Sequence, residues 1–478
     1  MSRARRALLS GLGAVLVAAG PTLGSATPAA AGATSAVSAT SAVSATEASA
    51  LSQQAYLYGF PLLEFLRVQD TETSVRCPDS NTGDAPVNSF ANAARFARPR
   101  DRIVVAPNVD TLYSIAHLDL GRGPVVLSHP AMGHRYFVFE LLDPYTNVIG
   151  YVGTRTTGSA AGRFAITWTG HRGAQVPGAR VIDSDYRRVW VIGRTLAGGA
   201  ADQRRTQALM RQYRLTPPGG ARHFAPGCRP GPPRRAITPT GLSFLTALDR
   251  GLVENPPPSR DRPLLTKLAR IGVGPGRSVA SAHLSPAALA ALVAAVKVTA
   301  LALPSIAQST ILDLAKRHRG WADPASDIGA YRTDYKFRAG VASIGLGANT
   351  RAEAVYPTAL TDDRGAFLTG SSRYRLVFKP GQTPPQRGFW SLTMYDAAGY
   401  LVANPVHRYS VGSSHPPLQR KPDGSVVVLL QRTRPTEAHV NWLPTPSGGF
   451  RLTLRIYEPG RSVLDRAWQP PPVQPLGA

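Results

Sequence analysis

The chain has 478 residues, 43% of them hydrophobic and 17% charged, with 45 glycines and 42 prolines. Globular domains run to roughly 100–200 residues, so this length predicts two domains; so much glycine and proline without a collagen period excludes a fibre, a long coiled coil and a wholly disordered chain, and argues against an all-helical fold. Lysine and arginine total 54 against 29 acidic residues, giving +25, a balance that suits nucleic acid, anionic lipid or an acidic wall polymer; only six of the 54 are lysines and the arginines are spread along the chain, which argues against a specific nucleic-acid site.

The first segment, 1–31, reads as a signal peptide. Arg3, Arg5 and Arg6 form a basic start, Leu8 to Ala19 a short apolar run, and small-residue cleavage sites follow at Gly24–Ala26 or Ala29–Ala31. The run falls short of the ~20 residues that span a bilayer. Arg5-Arg6-Ala7-Leu8-Leu9 resembles a twin-arginine signal, with Ala4 in place of Ser or Thr before the pair, so export by the general or the twin-arginine route is expected. Residues 32–50 repeat SAVSAT and read as a disordered low-complexity linker. No second apolar run is expected to approach membrane length. The mature chain is therefore expected to be secreted, extracellular or in the cell wall, without a membrane anchor.

An N-terminal β-rich domain is expected over 51–195. It opens on a helix at Leu51–Val68, kinked near Gly59 and Pro61. Short β-runs follow at Ile103–Ala106, Leu112–Leu118, Val125–Leu127, Tyr136–Leu142, Val148–Val152, Phe164–Trp168 and Val189–Ile192, the spacing of an antiparallel sandwich or barrel. A helical connecting region, 196–339, holds expected helices at Ala200–Tyr213, Leu242–Val253, Ser285–Ala300 and Pro304–His318, the last closing on the cations Lys316, Arg317 and Arg319. From 340 to 470 short strands return at Tyr374–Phe378, Trp390–Tyr395, Val426–Leu430 and Arg451–Tyr457, predicting a second sandwich, with 471–478 as a tail.

There are two cysteines, Cys77 and Cys228, both beside proline in loop-like sequence. In an exported chain they are either one disulfide closing a loop of about 150 residues or two unpaired thiols. No metal or cofactor is expected. There is no CxxC, no HExxH among the ten histidines, no GxSxG, no P-loop, and Gly345-Leu346-Gly347 lacks the third glycine of a dinucleotide fingerprint.

The motifs Pro107-Asn108-Val109-Asp110-Thr111-Leu112-Tyr113-Ser114, GPVVLSHP and RYFVFELLDPYTN resemble the bacterial domain of unknown function 1254. Gly345-Leu346-Gly347-Ala348-Asn349, FWSLTMYDAAGYLVANPVHRYS, Asn441-Trp442-Leu443-Pro444 and Ala467-Trp468-Gln469-Pro470 resemble its partner, domain of unknown function 1214. The resemblance implies a mainly β fold with helical insertions, two β-sandwich or jelly-roll-like domains joined by a helical segment, and no settled activity. The Pro- and Arg-rich stretch Leu215–Ala236 fits the pattern least.

Three polar sets stand out. Asn108, Asp110, Thr111 and Tyr113 crowd a turn leading into a strand, where Asp110 suits a general base or, equally, an Asx-turn. Arg135, Tyr136, Glu140, Asp143 and Tyr145 offer a guanidinium fork for a carboxylate or phosphate. Trp390, Tyr395, Asp396, Asn404, Arg408, Tyr409, Asn441 and Trp442 combine aromatic faces with polar groups, as sugar ligands require, or as buried core aromatics do. Asp110 and Asp396 would suit glycoside hydrolysis if about 5–9 Å apart. Two functions follow: a secreted or envelope protein binding a polar ligand such as a glycan, or a secreted hydrolase or lyase using Asp110 with Tyr113 and Arg135. No oligomeric state is read from the sequence.

Overall fold

The computed structural model describes residues 42–102, 105–171, 176–317, 319–323, 328–414 and 416–477. The expected signal segment and the linker as far as residue 41 lie outside them, as do Ile103 and Val104 of the first expected strand and His318. Helix α1, Ala45–Glu72, begins inside the segment read as linker to Ala50. Ser44 explains the early start: its hydroxyl accepts from Glu47 N at 3.2 Å, the Ser-x-x-Glu spacing that satisfies a first-turn donor. Pro61 lies within the same helix.

The first half contains β1 (Ala91–Asn92), β2 (Thr111–Asp119), β3 (Val125–His129), β4 (Phe137–Leu142), β5 (Val148–Gly153), β6 (Gly162–Trp168), β7 (Arg180–Ser184), β8 (Arg188–Leu196), α2 (Gly199–Met210) and β9 (Arg214–Thr216). They form two sheets, β1-β2-β8-β4-β5 and β7-β6-β3-β9, the latter with β6 and β7 parallel. Strand alternation builds the core between them. Leu112, Ala116 and Leu118 of β2, Phe137, Phe139 and Leu141 of β4 and Val189 and Val191 of β8 face Val125, Leu127, Phe164 and Ile166. The intervening residues of β4, Val138, Glu140 and Leu142, are buried as well. Such a strand needs a cover on its outer side.

Helices α3 (Leu242–Glu254), α4 (Arg262–Leu268) and α5 (Pro286–Arg317) pack on α1 through Leu62, Leu248, Leu252, Leu292 and Val296. Helix α5 unites the two expected helices, Ser285–Ala300 and Pro304–His318. Its stretch Pro286–Ala307 is long and apolar enough to cross a membrane, which corrects the expectation that no second run reaches that length; dividing the run between Ala300 and Pro304 concealed it. Cys77, in the loop after α1, and Cys228, in the Pro- and Arg-rich stretch, form a disulfide with a Cα–Cα distance of 6.4 Å. That stretch is also tied to the end of α1 and its loop by Arg76 N to Pro230 O (3.1 Å) and Arg234 N to Ser74 Oγ (2.7 Å).

The second half contains β10 (Trp321–Ala322), α6 (Tyr335–Gly345), β11 (Ala354–Val355), β12 (Thr358–Ala359), β13 (Arg373–Phe378), β14 (Trp390–Asp396), β15 (Ser410–Gly412), β16 (Val426–Gln431), β17 (Asn441–Pro444), β18 (Phe450–Tyr457), α7 (Arg461–Leu464) and β19 (Gln474–Leu476). One sheet runs β10-β12-β18-β14-β15 with β11 also on β18; the other runs β17-β16-β13-β19. Trp390, Leu392, Met394, Leu452, Leu454 and Ile456 meet Tyr374, Leu376, Phe378, Val426 and Val428 in its core. The expected class holds: two sheet-on-sheet halves with helical insertions. The outer residues of β14 and β18 turn to the first half, so the two halves meet sheet to sheet.

Candidate functional site at the seam between the halves

The turn before β2 clasps the second half. Asn108 Oδ1 accepts from the backbone N–H of Asp110 (2.6 Å) and Thr111 (3.2 Å), closing an Asx-turn, while its Nδ2 donates to Tyr457 Oη at 2.6 Å. Asp110 is buried, Oδ2 accepting from Ser391 Oγ (2.6 Å) and Oδ1 from Ser410 Oγ (3.2 Å). The carbonyls of Ala106 and Pro107 accept from Arg455 Nη2 and Tyr395 Oη, each at 2.7 Å. Burial pushes the Asp110 carboxyl above its ordinary range, while the serine bonds and Arg455 pull it back. Thr111 is buried with its hydroxyl unpartnered among the described residues.

One strand further in, register assembles a second polar group. Tyr113 of β2 lies opposite Arg194 of β8, which lies opposite Val138 of β4; the next row is Ile115, Ile192, Glu140 and Tyr151. Directly opposed residues share a face, here the outer one. The Arg194 guanidinium sits 5.6 Å from the centre of the Tyr113 ring. Its Nη1 donates to Glu140 Oε2 (2.7 Å) and to Asn349 Oδ1 (3.4 Å), and its Nη2 to Gly347 O (2.9 Å). Glu140 has no exposed surface, and its Oε1 is unpartnered among the described residues. Burial raises its carboxyl to about 7 against the opposing pull of Arg194.

The segment Gly345–Asn349 closes over this face. Gly347 has φ +78°, and a Cβ there would overlap Ile192 Cδ1, so its conformation and its close approach to the sheet both call for glycine. Asn349 Nδ2 donates to Tyr356 Oη at 2.6 Å, and burial pushes that phenol up to about 12. Tyr136 donates to Glu353 (2.8 Å), which also accepts from Arg155 Nε (2.6 Å), and Tyr151 bonds to Thr350 (3.1 Å). Five seam tyrosines, 136, 151, 356, 395 and 457, thus have hydroxyl partners. Tyr113 is half-buried and makes no hydroxyl hydrogen bond among the described residues.

The remaining sequence candidates lie elsewhere. Arg135 grips Asp202 through both Nη atoms at 2.7 Å and Leu196 O at 2.6 Å, holding the Asp202 carboxyl well below the usual range; it fastens α2 to the sheet and makes no contact with Asp110. Asp143 caps its own turn through Asn147, and Tyr145 donates to Asn255 O. Trp390 faces the second core against Phe378. Asn404 accepts from Arg408 N, Arg408 donates to Trp442 O, the Trp442 indole donates to Gln431 O, and Asn441 bridges Gln419 and Val427. These residues spend their polar atoms on backbone. Asp396 lies five residues along β14 from Ser391, the partner of Asp110, or roughly 16 Å at ~3.3 Å per residue, too far for a glycosidase carboxylate pair.

Arg194, Asn349, Tyr356, Arg455 and Tyr457 join the site without having been singled out. Their signal was alternation: Arg451, Thr453, Arg455 and Tyr457 share one face of β18, a pattern that reads as solvent-facing until a second sheet covers it. Chemically, the seam offers the Arg194 guanidinium, a carboxyl near neutrality, a phenol without a hydroxyl partner among the described residues, and four further charged groups, Asp110, Arg155, Glu353 and Arg455, held in place by hydrogen bonds. Among the described residues no three His, Cys, Asp or Glu are grouped to hold a metal ion.

Similarity to known proteins follows the same two halves. Residues 87–217 match the family described as protein of unknown function (DUF1254), and residues 353–461 match protein of unknown function (DUF1214). No curated protein matches the chain. The crystal structure of the VPA0106 protein from Vibrio parahaemolyticus is similar at 22% identity and a TM-score of 0.65, covering 90% of this chain and 100% of that one. A structure of an uncharacterized protein from Burkholderia cenocepacia matches at 14% identity and a TM-score of 0.42, over 90% and 93% of the two chains. The PNVD clasp lies in the first matched segment and its partners Ser391, Ser410 and Tyr457 in the second, and the chain belongs to the two-domain family in which DUF1254 is followed by DUF1214.

Proposed function

We propose that this is an exported envelope or extracellular protein that binds a small polar ligand, of the hydroxyl-rich kind a glycan fragment represents, in the seam between its two jelly-roll-like halves. The observation that carries this reading is Tyr113: a half-buried phenol beside Arg194, unpartnered among the described residues where every neighbouring seam tyrosine has a partner. Buried ion pairs add little net stability, so the two in the seam, Arg194–Glu140 and Arg155–Glu353, are better accounted for by recognition. Export is supported by the basic and apolar start of the sequence and by the Cys77–Cys228 bond, a linkage that persists in oxidising compartments.

The test is a thermal-shift and calorimetric screen of the purified protein against neutral sugars, sugar acids and phosphate esters, repeated on Tyr113→Phe. A ligand that stabilises the native protein should lose at least tenfold in affinity on Tyr113→Phe, while the unliganded melting temperature stays within about two degrees. Equal affinity in both proteins would end the assignment to the seam.

An enzymatic reading, a hydrolase or lyase, draws on Glu140 in place of Asp110. Its carboxyl near 7 is poised for proton transfer, and one of its oxygens is uncommitted. In that case turnover should follow a pKa near 7 that Glu140→Gln removes.

A further inference from the structure

Helix α5 is apolar on both sides, yet the described residues cover only one of them. Leu292, Val296 and Leu303 pack into the helical core with α1, whereas Ala287, Leu289, Ala290, Ala294, Val298 and Leu301 face outwards, Val298 at 60% and Leu301 at 71% exposure. A helix hydrophobic all round belongs in a protein core or against lipid. The uncovered face continues onto the start of α3: a Cβ on Gly241 would lie 3.4 Å from Val293 and 3.5 Å from Lys297, with exposed Leu242 and Ile237 on either side.

Charge separates the possible occupants. Between Arg277 and Asp313 the only charged residue is Lys297, and the segment Leu215–Gly241 that leads into α3 carries Arg222, Arg229, Arg234 and Arg235 without one acidic residue. Two copies meeting on a two-fold axis through this face would bring the two Lys297 side chains to one contact with no carboxylate on that stretch of α5 to answer them, and an isologous contact must be self-complementary. An anionic bilayer supplies both an apolar layer and negative headgroups, each Lys or Arg near such a surface favouring binding by roughly fivefold. We infer that the outer face of α5, with the Ile237–Leu242 segment beside it, docks on an anionic lipid surface and lies in its interface. The helix lies along the membrane and does not cross it, because its inner face stays in the protein core.

The experiment is flotation of the full chain with vesicles of phosphatidylcholine alone and with phosphatidylglycerol added, at low and raised salt. The native chain should float with the anionic vesicles only and lose binding as salt rises. The double variant Val298→Glu/Leu301→Glu should bind at least tenfold less while melting normally, since both residues are exposed; Lys297→Gln, a milder surface change, should bind several-fold less. Leu8–Ala19 is itself apolar, so the difference between native and variant chains is the readout. Binding that the variants leave unchanged overturns the inference, as does failure of the native chain to float. A concentration-dependent dimer in sedimentation that the double variant abolishes, without vesicle binding, overturns it in favour of a second copy.

Discussion

Asp110 accepts a hydrogen bond from Ser391 at 2.6 Å across 281 residues of sequence, tying the turn before β2 to a central strand of the other half. With Ser410 on the second oxygen, the carboxylate is fully committed to two hydroxyl donors. Asn at this position keeps one acceptor but offers Nδ2 where a donor already points. Asp110→Asn should therefore cost about 1–2 kcal/mol of stability, read by urea unfolding. Any ligand response should fall only as far as the folded fraction does. Ser391→Ala combined with it should cost less than the sum of the two, and additive costs would contradict a direct bond between them.

Glu140 makes stability depend on pH in a defined direction. Burial raises its folded pKa from 4.5 to about 7, so the folded state holds a proton that the unfolded state has released. This contribution is fully present below pH ~4.5 and is lost as pH rises through about 7, with an upper bound on the order of 3 kcal/mol. Glu140→Gln should flatten that slope between pH 5 and 7 in thermal unfolding. An unchanged slope would assign the dependence to other groups.

Gly347 is where backbone and packing demands coincide. Ala there would sit at φ +78° and press on Ile192, and its carbonyl would shift from Arg194. Gly347→Ala should destabilise by about 1–3 kcal/mol and weaken ligand binding together with stability, measured by calorimetry on the folded protein.

The Cys77–Cys228 bond closes a span of 151 residues. Its reduction should cost about 2–4 kcal/mol by the loop it releases, seen as a lower urea midpoint with reductant. Alkylation before reduction should label no thiol; two labelled thiols would contradict the bond.

Arg135→Met offers a control. It breaks the bidentate pair with Asp202 that holds α2, so stability should fall by about 1 kcal/mol or somewhat more, while ligand affinity of the folded protein stays unchanged. A selective loss of affinity would return Arg135 to the site.

The strands were legible because alternation is strong where one face meets a core. Tyr374, Leu376 and Phe378 alternate with less buried residues, and β13 falls where that pattern expects it. Short strands such as Trp321–Ala322 and Ala354–Val355 carry too few residues to show a period. Asn108 was legible as an Asx-turn from its place before a strand, but its second bond, to Tyr457, depends on a residue 349 positions away. The site failed to assemble on paper for the same reason. Arg135 looked closer to Asp110 than Arg455 or Arg194 did, since sequence proximity was the only distance available, and Asp202 claimed it. Arg194 sits in a run, RVWVIGRTL, whose apolar majority masks one buried cation.

The clasp also sets a timetable for the nascent chain. Tyr457 leaves the ribosome 349 residues after Asn108, an interval of roughly 15–70 s at ~5–20 residues per second. Phe65 of α1 covers part of the outer face of the first sheet early and Gly345–Asn349 covers more, but the part that β18 takes stays open until then, beside Arg194, Glu140, Tyr113 and Tyr136. A greasy surface of that size would invite neighbouring chains to stick during the wait. The charges and phenols set among Ile115, Val138 and Ile192 hold water on that face instead, and give it up only when the late strand arrives to claim it.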